Sequence, residues 1–168
     1  MKFLELYLFL GYQNLSGGFM KLQGSAEIGM PKAKAFEILK DPEKIAKLIP
    51  GIQSFEKEGD GVKMSVMVGY SFIKGRFNVK LAKTREENGS HVELKGSGSG
   101  AGTSIDFLSK FDVEAKGEDS SILSWDADVN VGGIAATMGG SMIKSAAEKF
   151  ISQIVDSLKH GTAGYTTT

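Results

Sequence analysis

At 168 residues the chain has room for one hydrophobic core, since a domain typically takes about 100–150 residues. Twenty Lys and Arg balance twenty Asp and Glu, so the surface lacks the summed positive field that gathers phosphate backbones, and nucleic acid is excluded as a natural partner. With no Cys, disulfides, thiolate metal sites and a cysteine nucleophile are ruled out, and two His leave little for metal or proton chemistry.

Residues 1–19 carry a short apolar run from Phe3 to Leu10 that Glu5 interrupts. It falls far below the roughly 20 residues needed to cross a bilayer, and it lacks the uninterrupted centre of a signal peptide. Met20 and the KLQGSAEI that follows read like a fresh start. The expected organisation is therefore an extension over 1–19, a single domain over 20–160 and a polar tail over 161–168. Leu22, Gly24, Ala26 and Ile28 alternate with Lys21, Gln23, Ser25 and Glu27, the pattern of a half-buried strand. Two short helices are expected next, with Pro31 and Pro42 at first helical positions, Asp41 as a cap and Pro50-Gly51 as the stop.

From Ile52 onward the apolar period is two. Asp60-Gly61 and Asn88-Gly89 suit tight hairpins, and Gly117 to Ser120 suits a looser one. One face collects Val62, Met64, Val66 and Val68, then Ile73, Gly75, Phe77, Val79 and Leu81, then Val92, Leu94, Gly96 and Gly98. It continues with Ile105, Phe107, Ser109, Phe111 and Val113, and ends with Leu123, Trp125, Ala127, Val129 and Val131. Lys80, Lys110, Asp112, Asp126 and Asp128 fall on the opposite, solvated face. After Gly132-Gly133 the period turns helical: Met138, Met142, Ile143, Ala147, Phe150, Ile151, Ile154 and Leu158 form a stripe over about 25 residues, or roughly 37 Å. The expected class is α+β: a curved seven-stranded antiparallel sheet wrapped around a long C-terminal helix, with two short helices between strands 1 and 2.

Several segments together are similar to a known family. They are Asp41-Pro42-Glu43-Lys44-Ile45-Ala46-Lys47-Leu48-Ile49-Pro50-Gly51, Lys74-Gly75-Arg76-Phe77, Gly96-Ser97-Gly98-Ser99-Gly100, and Val131-Gly132-Gly133 ahead of a helix with Gly139 and Gly140. In this the chain resembles the carbon monoxide dehydrogenase accessory family CoxG, of the helix-grip, START-like (SRPBCC) superfamily, over about residues 20 to 158. The resemblance implies an accessory protein of a molybdenum-containing carbon monoxide dehydrogenase, not the redox catalyst itself. It also implies recruitment to a membrane surface, a hydrophobic guest such as a quinone or lipid, no required cofactor, and a cytoplasmic place peripheral to the inner face of the membrane. A homodimer stays open.

Gly96 and Gly98 remove side chains from the inward face, for which strong curvature or close approach is one reading and room for a guest another. The tract is no dinucleotide site, because its spacing is G-x-G-x-G-x-G and a strand pattern follows where a helix should open. Trp125 reads first as core, with an indole N–H able to serve a ligand carbonyl. His91, His160, Asp126 and Asp128 read as surface groups, so no catalytic or metal-binding residue is assigned. Lys32, Lys34, Lys40, Lys44 and Lys47 against Glu37, Asp41 and Glu43 make a locally basic face that is chiefly solvated. The ligand-binding lining is expected to include Phe36, Met64, Phe77, Gly96, Gly98, Phe107, Trp125, Met138 and Met142. Two other readings stay open: a small polyketide cyclase or lyase, which needs an inward acid or base, and a docking protein with a filled core.

Overall fold

Hairpin chemistry dictates the order of the strands, because each short turn sends the next strand back along its predecessor. The computed structural model describes residues 18–70, 73–138 and 140–159. It places β1 at Phe19–Ile28, α1 at Lys32–Leu39, α2 at Pro42–Ala46, β2 at Ile52–Glu58 and β3 at Gly61–Tyr70. Then come β4 at Ile73–Glu87, β5 at His91–Gly100, β6 at Thr103–Ala115, β7 at Ser121–Gly133 and, after a 3-10 turn at Ile134–Thr137, α3 at Gly140–Lys159. The strands form one curved antiparallel sheet in the order β1-β7-β6-β5-β4-β3-β2, so the first strand pairs with the last. This is the α+β arrangement that the patterning implies.

Asn88 (φ 50°) and Gly89 (φ 65°) supply the left-handed residues of the β4–β5 hairpin, and Ala101 (φ 49°) and Gly102 (φ 71°) do so for β5–β6. At β2–β3 the turn lies one residue earlier than Asp60-Gly61: Gly59 takes the positive φ, while Gly61 already pairs with Glu58 and Ala82. A register that keeps Val62 and Met64 inward draws Gly61 into the strand. Asp41 caps α2 through Glu43 N at 2.9 Å, whereas Pro31 is the extended N-cap of α1 rather than its first helical residue.

Two boundaries differ from the sequence expectation. The carbonyl of Gly18 accepts from Val131 N at 2.7 Å and β1 starts at Phe19, so the sheet takes up the last residues of the supposed extension. Helix α3 starts at Gly140 and spans 20 residues, roughly 30 Å. Met138 is the C-cap of the preceding 3-10 turn, and Gly140 opens the helix instead of interrupting it. Residues 1–17, the tail 161–168, His160 and Gly139 lie outside the described residues.

The inner face of the sheet holds the core. At one end Ile28, Met30, Leu39, Leu48, Val113, Leu123 and Leu158 close together, none more than 4% exposed. Ser121 is fully buried there and donates its hydroxyl to Met30 O at 2.9 Å, tying the start of β7 to the loop after β1. Phe36, Ile45 and Ala46 from α1 and α2 pack on Val62, Val66, Leu81 and Leu94, while Ile143 of α3 packs on Leu22, Val129 and Val131. Full burial of one such aliphatic or aromatic side chain contributes about 1.5–3 kcal/mol.

Candidate ligand cavity

Between the sheet and α3 the packing leaves a cavity of about 310 Å³. Its floor comes from β3 to β7, including Met64, Phe77, Val79, Ile105, Phe107 and Trp125. Its roof is the apolar stripe of α3, among them Phe150, Ile151 and Ile154. Leu39 of α1, Ile45 of α2 and the following Leu48 and Ile49 make a side wall. The wall is hydrocarbon because period two puts every second sheet residue inward and the helical period puts the α3 stripe opposite. No titratable side chain lines it among the described residues.

The glycines shape this space in different ways. A Cβ at Gly96 would overlap the Phe107 ring, its partner across β5 and β6, so that absence admits an aromatic ring. Gly24 serves Trp125 on β7 in the same manner: a Cβ there would meet the indole, 2.6 Å from Cε2. Gly98 differs, because its Cβ would meet only Val79 Cγ2 at 3.2 Å and Asn78 O at 3.5 Å, and the residue lines the cavity. Close approach therefore explains Gly96, and open space accompanies Gly98.

Of the nine residues expected on the wall, Met64, Phe77, Gly98, Phe107 and Trp125 are there, and four are placed elsewhere. Phe36 is buried in the packing of α1 on α2 and β3, with the Lys40 ammonium 6.0 Å from its ring centroid. Gly96 is covered by Phe107. Met138 and Met142 are 39% and 45% exposed, because the chain turns out of β7 before α3 begins and leaves them beyond the packed stripe. Leu39 of α1 and Leu48 just after α2 were absent from the expected lining. Their only sequence signal is an apolar spacing too short to distinguish core from wall.

The outer face carries the charge. The Lys21 ammonium lies 3.1 Å from Asp128 Oδ1 and 3.5 Å from Asp126 Oδ1. Asp128 is only 8% exposed, so it is a buried half of an ion pair rather than a solvated carboxylate. His91 lies between two carboxylates, Nε2 at 2.7 Å from Glu93 and Nδ1 at 2.8 Å from Asp112. The Glu93 hydrogen bond chiefly, opposed by burial and aided by Asp112, raises the His91 pKa above its ordinary value. A second, wider concavity lies on this face, lined by mixed charges including Lys80, Lys95, Asp106 and Asp128. Among the described residues no cluster of three or more His, Cys, Asp or Glu is gathered for a metal ion, and no helix is long and apolar enough to cross a membrane.

The family model for the G subunit of carbon monoxide dehydrogenase (CoxG) matches residues 24–162. The chain belongs to the CoxG family. Its fold is shared by a START superfamily protein from Mycobacterium smegmatis (TM-score 0.63, 16% identity, 83% of this chain and 94% of that one). A conserved protein from Geobacillus kaustophilus superposes with a TM-score of 0.77 at 22% identity, covering 84% and 93% of the two chains. A norcoclaurine synthase point mutant from Thalictrum flavum, in complex with a transition-state analogue, reaches 0.55 at 14% identity, over 84% and 92%. These likenesses place the CoxG chain in the START-like fold. No curated protein matches the chain at a significant level.

Proposed function

We propose that this CoxG-family chain is a non-catalytic accessory protein that holds a hydrophobic guest, a quinone or lipid, between its sheet and α3 on behalf of a molybdenum-containing dehydrogenase. The observation that carries this reading is the apolar cavity itself. At about 310 Å³ it lies at the lower end of the roughly 300–1,000 Å³ typical of small-molecule sites. Acid–base chemistry needs a titratable group within reach of the substrate, and the described wall offers none, which weighs against the cyclase or lyase reading. An unfilled interior weighs against a docking protein with a solid core.

The reading includes contact with a membrane surface. Ile134, Met138 and Met142 are exposed close together in the chain at the head of α3, opposite the end that Leu123, Leu158 and Met30 seal. Exposed apolar groups grouped on the surface in this way suit contact with a lipid surface from which a guest is taken. Native mass spectrometry after mild purification, followed by organic extraction, tests the proposal. A bound quinone or lipid at one per chain is the expected result. An empty chain that also takes up no added short-chain quinone would overturn it.

A further inference from the structure

We propose that the end of the fold at which β3 and β7 finish and α3 begins is a docking face for an anionic lipid surface. Met67, Ile134, Met138 and Met142 enter the lipid there, and Lys74, Arg76 and Lys144 meet its headgroups. This rests on the reading that the chain touches a membrane surface, and adds which lipid charge it selects and which side chains serve it. Among the described residues these four are the large apolar side chains that stand exposed, Met67 at 44% and Ile134 at 58%. Three separate elements bring them to one end. Met67 lies near the finish of β3, where its N–H donates to Gly51 O at 2.8 Å, and Ile134 follows β7 directly. Met138 and Met142 flank the start of α3. The opposite end, closed by Ile28, Met30 and Leu158, exposes no such group among the described residues.

Charge divides the molecule along the same axis. Arg76 stands opposite Met67 across β3 and β4, and Lys74 opposite Gly69, nearer still to that end. Lys144 is in the second turn of α3, and because helical side chains lean toward the N-terminus it reaches back to the same end. All three are exposed and form no ion pair with the described residues. Carboxylates are set farther back: Asp106 shares a row with Ser97 and Lys80, deeper along the sheet than Arg76, and Glu148 is a turn beyond Lys144. The hairpins at the opposite end carry Glu58, Asp60, Glu86, Glu87, Glu118 and Asp119. With twenty charges of each sign, the chain is neutral in sum and polar in arrangement. A negative surface attracts the basic end and repels the acidic one, which fixes the orientation. The spread of the apolar groups favours lipid over an acidic protein. β3 and β7 stand four strand spacings apart, roughly 19 Å along the sheet, and a lipid surface meets each group separately without a matched pocket.

The experiment uses the full chain and vesicles of phosphatidylcholine, alone or mixed with phosphatidylglycerol. Binding is expected to the mixed vesicles, and to fall as salt rises. Lys74→Gln, Arg76→Gln and Lys144→Gln should each weaken it by roughly five-fold, equivalent to about 1 kcal/mol per charge. Lys32→Gln combined with Lys34→Gln, on α1 at the sealed end, should leave it unchanged. The chain has no Cys, so one introduced thiol carrying an environment-sensitive dye reads which end meets lipid. A dye at Met138→Cys should shift to the blue with the mixed vesicles, and one at Gly117→Cys, in the β6–β7 turn, should not. Equal affinity for the two vesicle types, with the Met138→Cys dye still shifting, would overturn the anionic selection and keep the lipid contact. A shift at Gly117→Cys, or a comparable loss from the α1 pair, would overturn the choice of face. A chain that binds neither vesicle would overturn the lipid contact itself and leave the face to an acidic protein. Uptake of added quinone by that same chain would show that the cavity reading stands.

Discussion

The ring of Phe107 occupies the space that any side chain at Gly96 would need, the two residues facing each other across β5 and β6. Gly96→Ala must displace either the ring or the strand, and the expected cost is about 1–3 kcal/mol. A urea titration should show a lower midpoint with an unchanged slope. Combining it with Phe107→Ala should cost less than the sum of the two single changes, because the new Cβ no longer meets a ring. Strict additivity would show that the two residues do not compete for space.

Gly98 is two residues along the same strand and the opposite case. Its nearest obstacle is Val79 Cγ2, so a side chain can project into the cavity once Val79 gives by a few tenths of an ångström. Gly98→Phe is expected to keep the far-ultraviolet dichroism and a cooperative transition while losing about tenfold or more in affinity for decane, as the ring takes up guest volume. Retained decane affinity in a folded Gly98→Phe chain would contradict the placement of Gly98 on the wall.

His91 gives the fold a pH dependence of defined sign. Its pKa is raised in the folded protein above the ordinary value of about 6.5, chiefly by the hydrogen bond to Glu93. The stabilisation is therefore complete below about pH 6.5 and is lost as pH rises through the raised folded value. Glu93→Gln should bring the imidazole titration, followed by NMR, back toward its ordinary midpoint. A His91 midpoint at or below 6.5 in the unmodified chain would refute the clamp.

Glycines 140 and 102 should answer alanine in opposite ways. A Cβ at Gly140 meets nothing within 4 Å, so Gly140→Ala is expected to be neutral or stabilising by up to about 1 kcal/mol. Gly102 has φ +71° and a Cβ there would lie 2.5 Å from Ile134 Cδ1, so Gly102→Ala should destabilise by about 1–3 kcal/mol. Thermal midpoints of the two variants settle the comparison.

What the amino-acid order determined by itself is the direction of the side chains. Val62 to Val68, Ile105 to Val113 and Leu123 to Val131 name the inward face residue by residue, because the pleat alternates whatever surrounds it. Asp41 before Pro42 and Asn88-Gly89 announced a helix start and a hairpin for similarly local reasons. Which inward residue borders empty space was decided only by the tertiary structure. Gly96 and Gly98 look alike in sequence, yet Phe107 from the next strand leans over one and not the other. Phe36 points inward and is packed over, while Met138 and Met142 share a helical spacing that the real start of α3 leaves in solvent. Backbone geometry travels with each residue. A cavity is the volume left over between a curved sheet and a helix, set by contacts between segments far apart in the chain.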